Sequence, residues 1–413
     1  MAPIPPEHEI TAEVNEFVDA NWNPEMPVHA WWKLLADARL SNATLPEDSG
    51  GRGWSNRAAA IVNSALVAKR VVGAPGGLGM MLAAPTIATH GNLEQKQRLI
   101  PTILDGTYAW CQLFSEPGAG SDLAGLQCRA ERDGDEWIIT GQKVWTSNGH
   151  ETEWGILIAR TDPDAPKHKG ITFFAFPMIQ DGVEVRPLVE MTGRAMFNEV
   201  FIEEARVHND NVIGDLNDGW RVANTTLAFE RAGISGPGLG YGTTSPGGIV
   251  GNLDKPIGQF VGKRAALSVG GVGRRMLRVL HDEAVERGVI GDPVIRQELA
   301  QLHSLHRIAG YHMGWSKYTK HPATGNIAKL LNTQMLHLAR SLTSKILGPD
   351  AQIVGDDAAT DGMLQEAILF SPGPSIYGGS DEIQRNVMGE RGLGLPREPG
   401  PARDTPFKEL PKN

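Results

Sequence analysis

The chain predicts an α+β fold in which helices come first, a β unit occupies the middle and helices return. Three observations carry this. Apolar residues recur at i, i+3 and i+4 from Glu7 to about Tyr108. Short β-branched and aromatic runs, broken by turn residues, fill Cys111 to about Asp215. Helical spacing resumes from Trp220 onward. The expected divisions are an all-helical unit at 1–110, an antiparallel β unit at 111–218, a helical unit at 219–395 and a tail at 396–413.

In the first unit, Val14, Phe17 and Val18 share one helix face, and Trp31, Leu34 and Leu35 another. Ala58 to Val71 has few breakers, and Asn92 stands as the N-cap of a helix running to Leu104. In the second, strands are expected at Trp137–Thr140, Gly155–Arg160, Ile171–Phe176, Val183–Val185 and Asn198–Glu203, separated by Asp-Gly, Asn-Gly, Pro or charged turns. In the third, helices are expected at Arg264–Glu286, Pro293–Tyr318, Thr324–Leu347 and Asp381–Arg391. Between Gly233 and Gly258, 12 of 26 residues are Gly or Pro, too many for a continuous helix. The Pro-rich stretch after Leu395 predicts a poorly ordered tail.

The 413 residues can bury a large core, and the formal net charge of −9 argues against nucleic acid as a partner. Two cysteines, Cys111 and Cys128, build no disulfide framework and read as reduced thiols of a cytoplasmic protein. The first residues lack the basic and apolar regions of a signal peptide, and no apolar run approaches the roughly 18–20 residues that span a bilayer. The absence of G-x-G-x-x-G and of βαβ alternation excludes a Rossmann reading. G-x-S-x-G, H-E-x-x-H and the P-loop are also missing, and His150, His303 and His306 have no second ligand at motif spacing, so no metal site is expected.

The most informative segments are Leu113–Asp122, L-F-S-E-P-G-A-G-S-D, and Gly141–Gly149, G-Q-K-V-W-T-S-N-G. The first is a turn of small residues, where backbone N–H groups and hydroxyls can approach a polar ligand. The second ends a β run on an aromatic ring and two hydroxyls, which suits a flat cofactor with a polar edge. Together, and followed by Glu190-Met191-Thr192-Gly193 and Asn198-Glu199-Val200, they resemble the flavin-binding segments of the acyl-CoA dehydrogenase family. The resemblance runs from about His8 to Glu398. It implies that family's architecture, an N-terminal helical domain, a middle β domain and a C-terminal four-helix bundle, with FAD as cofactor.

By the same resemblance, Gln112 to Ser121 wraps the flavin, with Ser115 at the pyrimidine edge and Gly120 and Ser121 near the pyrophosphate and the thioester arm. Trp145, Thr146 and Ser147 pack on the isoalloxazine, Ser147 reaching the N5 edge. Ser380 and Glu382 fall among the cofactor contacts, and Arg287 and Gln297 where the family reaches the adenosine half in a neighbouring subunit. Two departures stand out there: the aromatic of R-x-x-F-G is missing, and the Q-x-x-G-G-x-G stretch is unrecognisable around Leu347–Ala351.

The family removes an α-proton from an acyl thioester with a carboxylate while the β-hydrogen leaves as hydride. Most members carry that carboxylate in I-Y-E-G-T-S-x-I-Q-R. Here the motif reads Ile376-Tyr377-Gly378-Gly379-Ser380-Asp381-Glu382-Ile383-Gln384-Arg385, and Gly378 has no side chain. The N–H of Gly378, with Gly379, still falls where the family holds the thioester oxygen. Some branches place the base about one hundred and fifty residues earlier, before an arginine, where this chain has Phe229-Glu230-Arg231. Glu230 is therefore the expected base; its bland alternative is a surface residue paired with Arg231 or an i+4 partner. Arg231 reads equally as a structural ion pair or a substrate contact. Asp381 and Glu382, following Ser380, look like first-turn acids complementing a helix dipole.

The expectation is an FAD-dependent acyl-CoA dehydrogenase forming a trans-2-enoyl thioester, passing electrons to an electron-transfer flavoprotein, as a homotetramer or an α2β2 heterotetramer. The Gly/Pro-rich stretch after Arg231 would widen the acyl pocket. Two rivals differ by cheap observations. A non-catalytic partner subunit would carry no flavin alone, and a flavin monooxygenase on the same fold would consume dioxygen.

Overall fold

The computed structural model describes residues 4–233, 242–262, 274–316, 318–319, 321–355, 357–402 and 404–411. Its backbone sorts into two units: the described residues of Met1–Val189, Ala195–Ala266 and Pro401–Asn413, and those of Glu190–Arg194 and Leu267–Gly400.

The first unit begins with α1 (Glu7–Asn21), α2 (Val28–Asp37) and α3 (Asn56–Ala68). Their apolar faces close on Val14, Trp31, Trp32, Leu35 and Leu66, all almost fully buried. Burying two indoles requires partners for their N–H groups, and Trp31 and Trp32 donate to the carbonyls of Val72 (2.7 Å) and Gly73 (2.9 Å). A π-turn at Gly79–Ala83 leads into α4 (Ala84–His90). The helix α5 (Leu93–Leu104) opens on a reciprocal capping box between Asn92 and Gln95, the N-cap expected of Asn92.

Seven strands follow: β1 (Trp110–Leu113), β2 (Arg129–Asp133), β3 (Glu136–Ser147), β4 (Trp154–Arg160), β5 (Ile171–Pro177), β6 (Val183–Leu188) and β7 (Phe197–His208). The order is β1-β4-β2-β3-β7-β6, with β5 on β4. Five lie where the β-branched runs placed them. β2 escaped notice because Arg129-Ala130-Glu131-Arg132-Asp133 buries only Ala130. The sheet is antiparallel except that β1 runs parallel to β4, Cys111 opposite Gly155, with one parallel pair between β2 and β4. β1 is followed by β2 and β3 before the chain returns as β4, the long crossover a parallel pair needs.

Three features of this unit differ from the sequence expectation. The helix α6 (Gly219–Gly233), grouped by sequence with the C-terminal helices, packs on β5 and α4. Val222 and Ala223 are buried there, and the hydroxyls of Thr226 and Thr86 meet at 3.0 Å. The described part of the Gly/Pro-rich stretch, 242–262, straps the N-terminal helices. Val28 N–H donates to Lys255 O (3.0 Å), Ile257 N–H to Met26 O (2.8 Å), and Ile257 and Phe260 enter the helical core. The tail is not loose: Phe407 is 8 % exposed, its N–H donates to Ala165 O (2.9 Å), and Pro406 bridges Pro166. One aromatic among prolines anchors the stretch.

The second unit holds α7 (Arg274–Glu286), α8 (Pro293–Ser316), α9 (Thr324–Leu347), α10 (Met363–Phe370) and α11 (Asp381–Val387). The portion of the expected helix before Arg274 lies outside the described residues. Helix α9 touches each of the other four, and its Leu336, Ala339 and Leu342 face a core with Leu280, Leu302 and Leu364. Among the described residues, no helix is long and apolar enough to cross a membrane.

Candidate functional site

The two motif segments, some twenty residues apart in sequence, are one object in space. Val144 N–H donates to Ser115 O at 2.9 Å. Lys143, fully buried, places its Nζ on the Glu116 carboxylate (2.8 Å) and on Phe114 O (3.1 Å). The same carboxylate accepts from the N–H groups of Gln127 (2.7 Å) and Cys128 (2.9 Å). Buried charges persist only when paired and hydrogen-bonded, and here each oxygen of Glu116 has a donor. Glu116 and Ala119 exchange both backbone hydrogen bonds, which folds Pro117-Gly118 into a tight turn. Ser121 and Gly120 emerge exposed beyond it, and nothing stands within 4 Å of where a Cβ on Gly120 would lie. Ser115 is half-buried at the base.

Trp145 breaks the regular ladder of β3. Its φ of +61° lies in the left-handed region that a bulky side chain avoids, at a register shift between Lys143 and Thr146. Such backbone costs about 1–3 kcal/mol and marks sites where something else fixes it. The ring is 57 % exposed and meets Phe197 edge-on at 5.8 Å. Past the bulge, Ser147 is half-buried, whereas the Thr146 side chain is buried with no hydrogen-bond partner for Oγ1. The three residues are therefore not equivalent: Thr146 turns inward, so a ligand over Trp145 would meet its backbone alone. An exposed, strained indole beside a hydroxyl, with an open turn at Gly120, fits a flat ring system carrying a phosphate arm.

Glu230 lies near the end of α6, half-buried. Gln112 on β1 donates from Nε2 to Glu230 Oε2 at 3.4 Å, so the proposed base adjoins the strand that runs into Ser115. Phe229 packs against the sheet-side core, whereas Ala228 is exposed. The side chain of Arg231 lies outside the described residues.

In the second unit, Gly378 and Gly379 take φ of +64° and +82°. Among the described residues other than its chain neighbours, no atom lies within 4 Å of a Cβ built on Gly378, whereas one on Gly379 would strike Gln384 Nε2 at 2.6 Å. Gln384, 4 % exposed, donates to Gly378 O (2.6 Å) and accepts from Asn326 Nδ2 (2.5 Å). Ser380 caps α11 by accepting from Ile383 N–H (3.3 Å). Asp381 pairs with Lys329 (2.6 Å), and Glu382 is an exposed first-turn acid 3.7 Å from Arg385. Desolvation around the Tyr377 hydroxyl pushes it up to about 12, although the residue as a whole is 40 % exposed. Arg287 is clasped by Glu283 and Asp350, each at 2.7 Å, and these hydrogen bonds hold its guanidinium above its ordinary range. Gln297 is exposed on α8.

Sequence reasoning passed over Glu116, Lys143, Gln384 and Asn326. Glu116, Lys143 and Gln384 stand inside the quoted motifs, yet a buried Lys-Glu pair has no spacing signature, because one partner lies in the turn after β1 and the other on β3.

The family models for the N-terminal, middle and C-terminal domains of acyl-CoA dehydrogenase match residues 6–107, 111–205 and 257–393. The chain is 36% identical over 372 residues to acyl-CoA dehydrogenase IpdE1 of Mycobacterium tuberculosis (strain ATCC 25618 / H37Rv), covering 89% of this chain and 88% of that one. Among solved structures, one described as the Tcur3481-Tcur3483 steroid ACAD shares 25% identity at a TM-score of 0.69, over 95% of this chain and 97% of that chain. The ChsE4-ChsE5 complex from Mycobacterium tuberculosis has the same fold, with a TM-score of 0.68 at 23% identity, over 96% of this chain and 100% of that chain.

Proposed function

The chain belongs to the acyl-CoA dehydrogenase family, and within it we propose that it is an FAD-dependent enzyme that desaturates an acyl-CoA thioester to the trans-2-enoyl-CoA. The observation that carries this is the contact between Glu230 and Gln112, which sets a carboxylate beside the strand leading to Ser115.

FAD, when bound, supplies the acceptor for the β-hydrogen as hydride. Gln112, Ser115, Gly120, Ser121 and the Trp145–Ser147 bulge would hold it, Thr146 through its backbone. Ser380 and Glu382 would contact the cofactor, and Arg287 and Gln297 the adenosine half of a flavin in a neighbouring subunit; Arg287 is the weakest of these, being already neutralised by two carboxylates. Glu230 takes the α-proton. Gln112 donates to Glu230 Oε2 at 3.4 Å, which ties the base to β1. The N–H groups of Gly378 and Gly379 receive the thioester oxygen, and Ser121 and Arg231 contact the coenzyme A arm. The substrate class we favour is a fatty or sterol side-chain thioester, in keeping with the steroid ACAD whose fold it shares. Electrons would leave through an electron-transfer flavoprotein, and the assembly would be a homotetramer or an α2β2 pair of unlike chains in the cytoplasm.

The test is anaerobic titration with a panel of acyl-CoA esters, watching oxidised flavin bleach, on the wild type and on Glu230→Gln. Loss of a general base costs about 10²–10⁴-fold in rate, so Glu230→Gln keeps its flavin and its thioester affinity while turnover collapses. Turnover at the wild-type rate would overturn the base assignment. A second reading, a subunit that needs a partner for a complete flavin site, draws on Gly378 and the occupied Arg287. It predicts no stoichiometric flavin in the chain purified alone and near-stoichiometric flavin with the partner.

A further inference from the structure

The tail after Leu395 ends in a specific contact. Phe407 lies with its ring face 3.6 Å from the guanidinium carbon of Arg160, at the end of β4. Arg160 is 4 % exposed and spends its other donors on carbonyls. Nη2 donates to Ala124 O (2.7 Å) and Leu126 O (3.4 Å), and Nη1 to Lys167 O (2.9 Å). Among the described residues, its Nε–H has no hydrogen-bond partner. Burial draws its pKa down to about 10, against the opposing pull of Glu116 and Asp162. A cation without water is held by carbonyl dipoles on one side and an aromatic face on the other.

The carbonyls it holds belong to the segment that follows Ser121. Asp122 is tied to Lys167 at 2.5 Å, the 3-10 turn at Leu123–Gly125 carries Ala124, and Gln127 and Cys128 donate to Glu116. The tail is held independently by Lys408 on Asp164 (2.5 Å) and Lys408 N–H on Pro163 O (3.0 Å).

We propose that Phe407 and Arg160 are positioning residues for the ligand loop at 117–126. The C-terminal tail closes over Arg160, and Arg160 sets the height of the loop that presents Gly120 and Ser121. The inference rests on the reading of that loop as a cofactor and thioester contact, but its first measurement does not.

The experiment compares Phe407→Ala, Phe407→Leu and Phe407→Trp in the full chain. Hydrogen exchange of flavin-free protein reads the loop directly: 117–126 exchanges faster in Phe407→Ala, with Phe407→Trp close to wild type and Phe407→Leu between. In the flavin-loaded enzyme, Phe407→Ala raises KM for the thioester and the FAD dissociation constant by on the order of threefold to tenfold, part of what a desolvated cation–π contact is worth. Its kcat stays within twofold or so of the wild type, as the base is untouched. Unchanged exchange at 117–126 in Phe407→Ala overturns the proposal, as does Phe407→Trp failing to restore it. Faster exchange with KM and FAD affinity unchanged overturns the positioning role. A wild type without flavin or turnover defeats the functional reading instead, and the exchange data then decide the tail contact alone.

Discussion

The loop built on Glu116 and Lys143 and the loop at Gly378–Gly379 are organised in opposite ways. The first has a charged, buried frame: a fully buried lysine, a carboxylate with every oxygen engaged, and a strained indole lifted out of the ladder. The groups proposed to face the ligand, Ser121 and Trp145, are exposed beside that frame. The second keeps its frame, with Gln384 on Gly378 O, Asn326 on Gln384 and Ser380 capping α11, yet presents only backbone. A hydrogen-bonded frame can stand without a side chain to present. Position 378 retains its left-handed backbone and open space without a side chain, while α6 carries Glu230 against Gln112.

The strongest way to break this contrast is to damage the charged frame. Lys143→Met leaves the Glu116 carboxylate buried without its counter-charge, which costs about 3–5 kcal/mol. We expect a large fall in the urea midpoint together with loss of bound flavin. The double change Lys143→Met with Glu116→Gln should recover part of that stability, since the uncompensated charge is gone. A single variant as stable as wild type would mean that the pair does not hold the loop.

The next effect is smaller and falls on the other loop. Gln384→Ala strands the Gly378 carbonyl and the Asn326 amide, at about 1–3 kcal/mol for buried groups left unpaired. The glycine N–H groups lose their fixed aim, so kcat should drop while flavin content stays at the wild-type level. Loss of flavin in this variant would show that the two loops are not separable in function.

Much of this organisation was legible in the sequence, and the exceptions share a cause. Short β-branched and aromatic runs named five strands, and Asn92 named a helix start, because those signals are local. β1 and β2 were missed since Trp110-Cys111-Gln112-Leu113 is short and β2 is charged. The motif residues were found by type and spacing, but the partners that fix them were not. Lys143 meets Glu116 across 27 positions, Gln112 meets Glu230 across 118, and Asn326 meets Gln384 across 58. Phe407 looked like part of a loose tail because its anchor, Arg160, lies far back in the chain.

Gly378→Glu sharpens the comparison by returning a carboxylate to the emptied position. The space is open, so the expected cost is the backbone alone, about 1–2 kcal/mol for a side chain in the left-handed region. In the Glu230→Gln background it should restore a measurable part of the thioester-dependent bleaching. A cost far above that, read from thermal unfolding, would show that the site is not open; a well-folded double variant with no recovery would show that position 378 does not reach the substrate.

The smallest effect is a chemical one, and it reports on the charged frame alone. Cys111 precedes Gln112, and the Cys128 N–H is held by Glu116, so both thiols sit in the sheet that carries the first loop. Burial pushes Cys111 up to about 12 and Cys128 up to about 11, from an ordinary 9.0. For a thiol whose folded value is raised, the folded state binds the proton more tightly than the unfolded chain does. The stability this contributes is therefore fully present below pH 9 and drains as pH rises toward 11 and 12. Neither thiol should react with an aromatic disulfide reagent at pH 8 while the protein is folded, and the urea midpoint should fall between pH 9 and 11. Lys143→Met, by loosening the frame around Cys128, should make that thiol reactive at pH 8, whereas Gln384→Ala should not. Equal labelling in the two variants would mean that the frame at Glu116 is no more a unit of its own than the loop at Gly378.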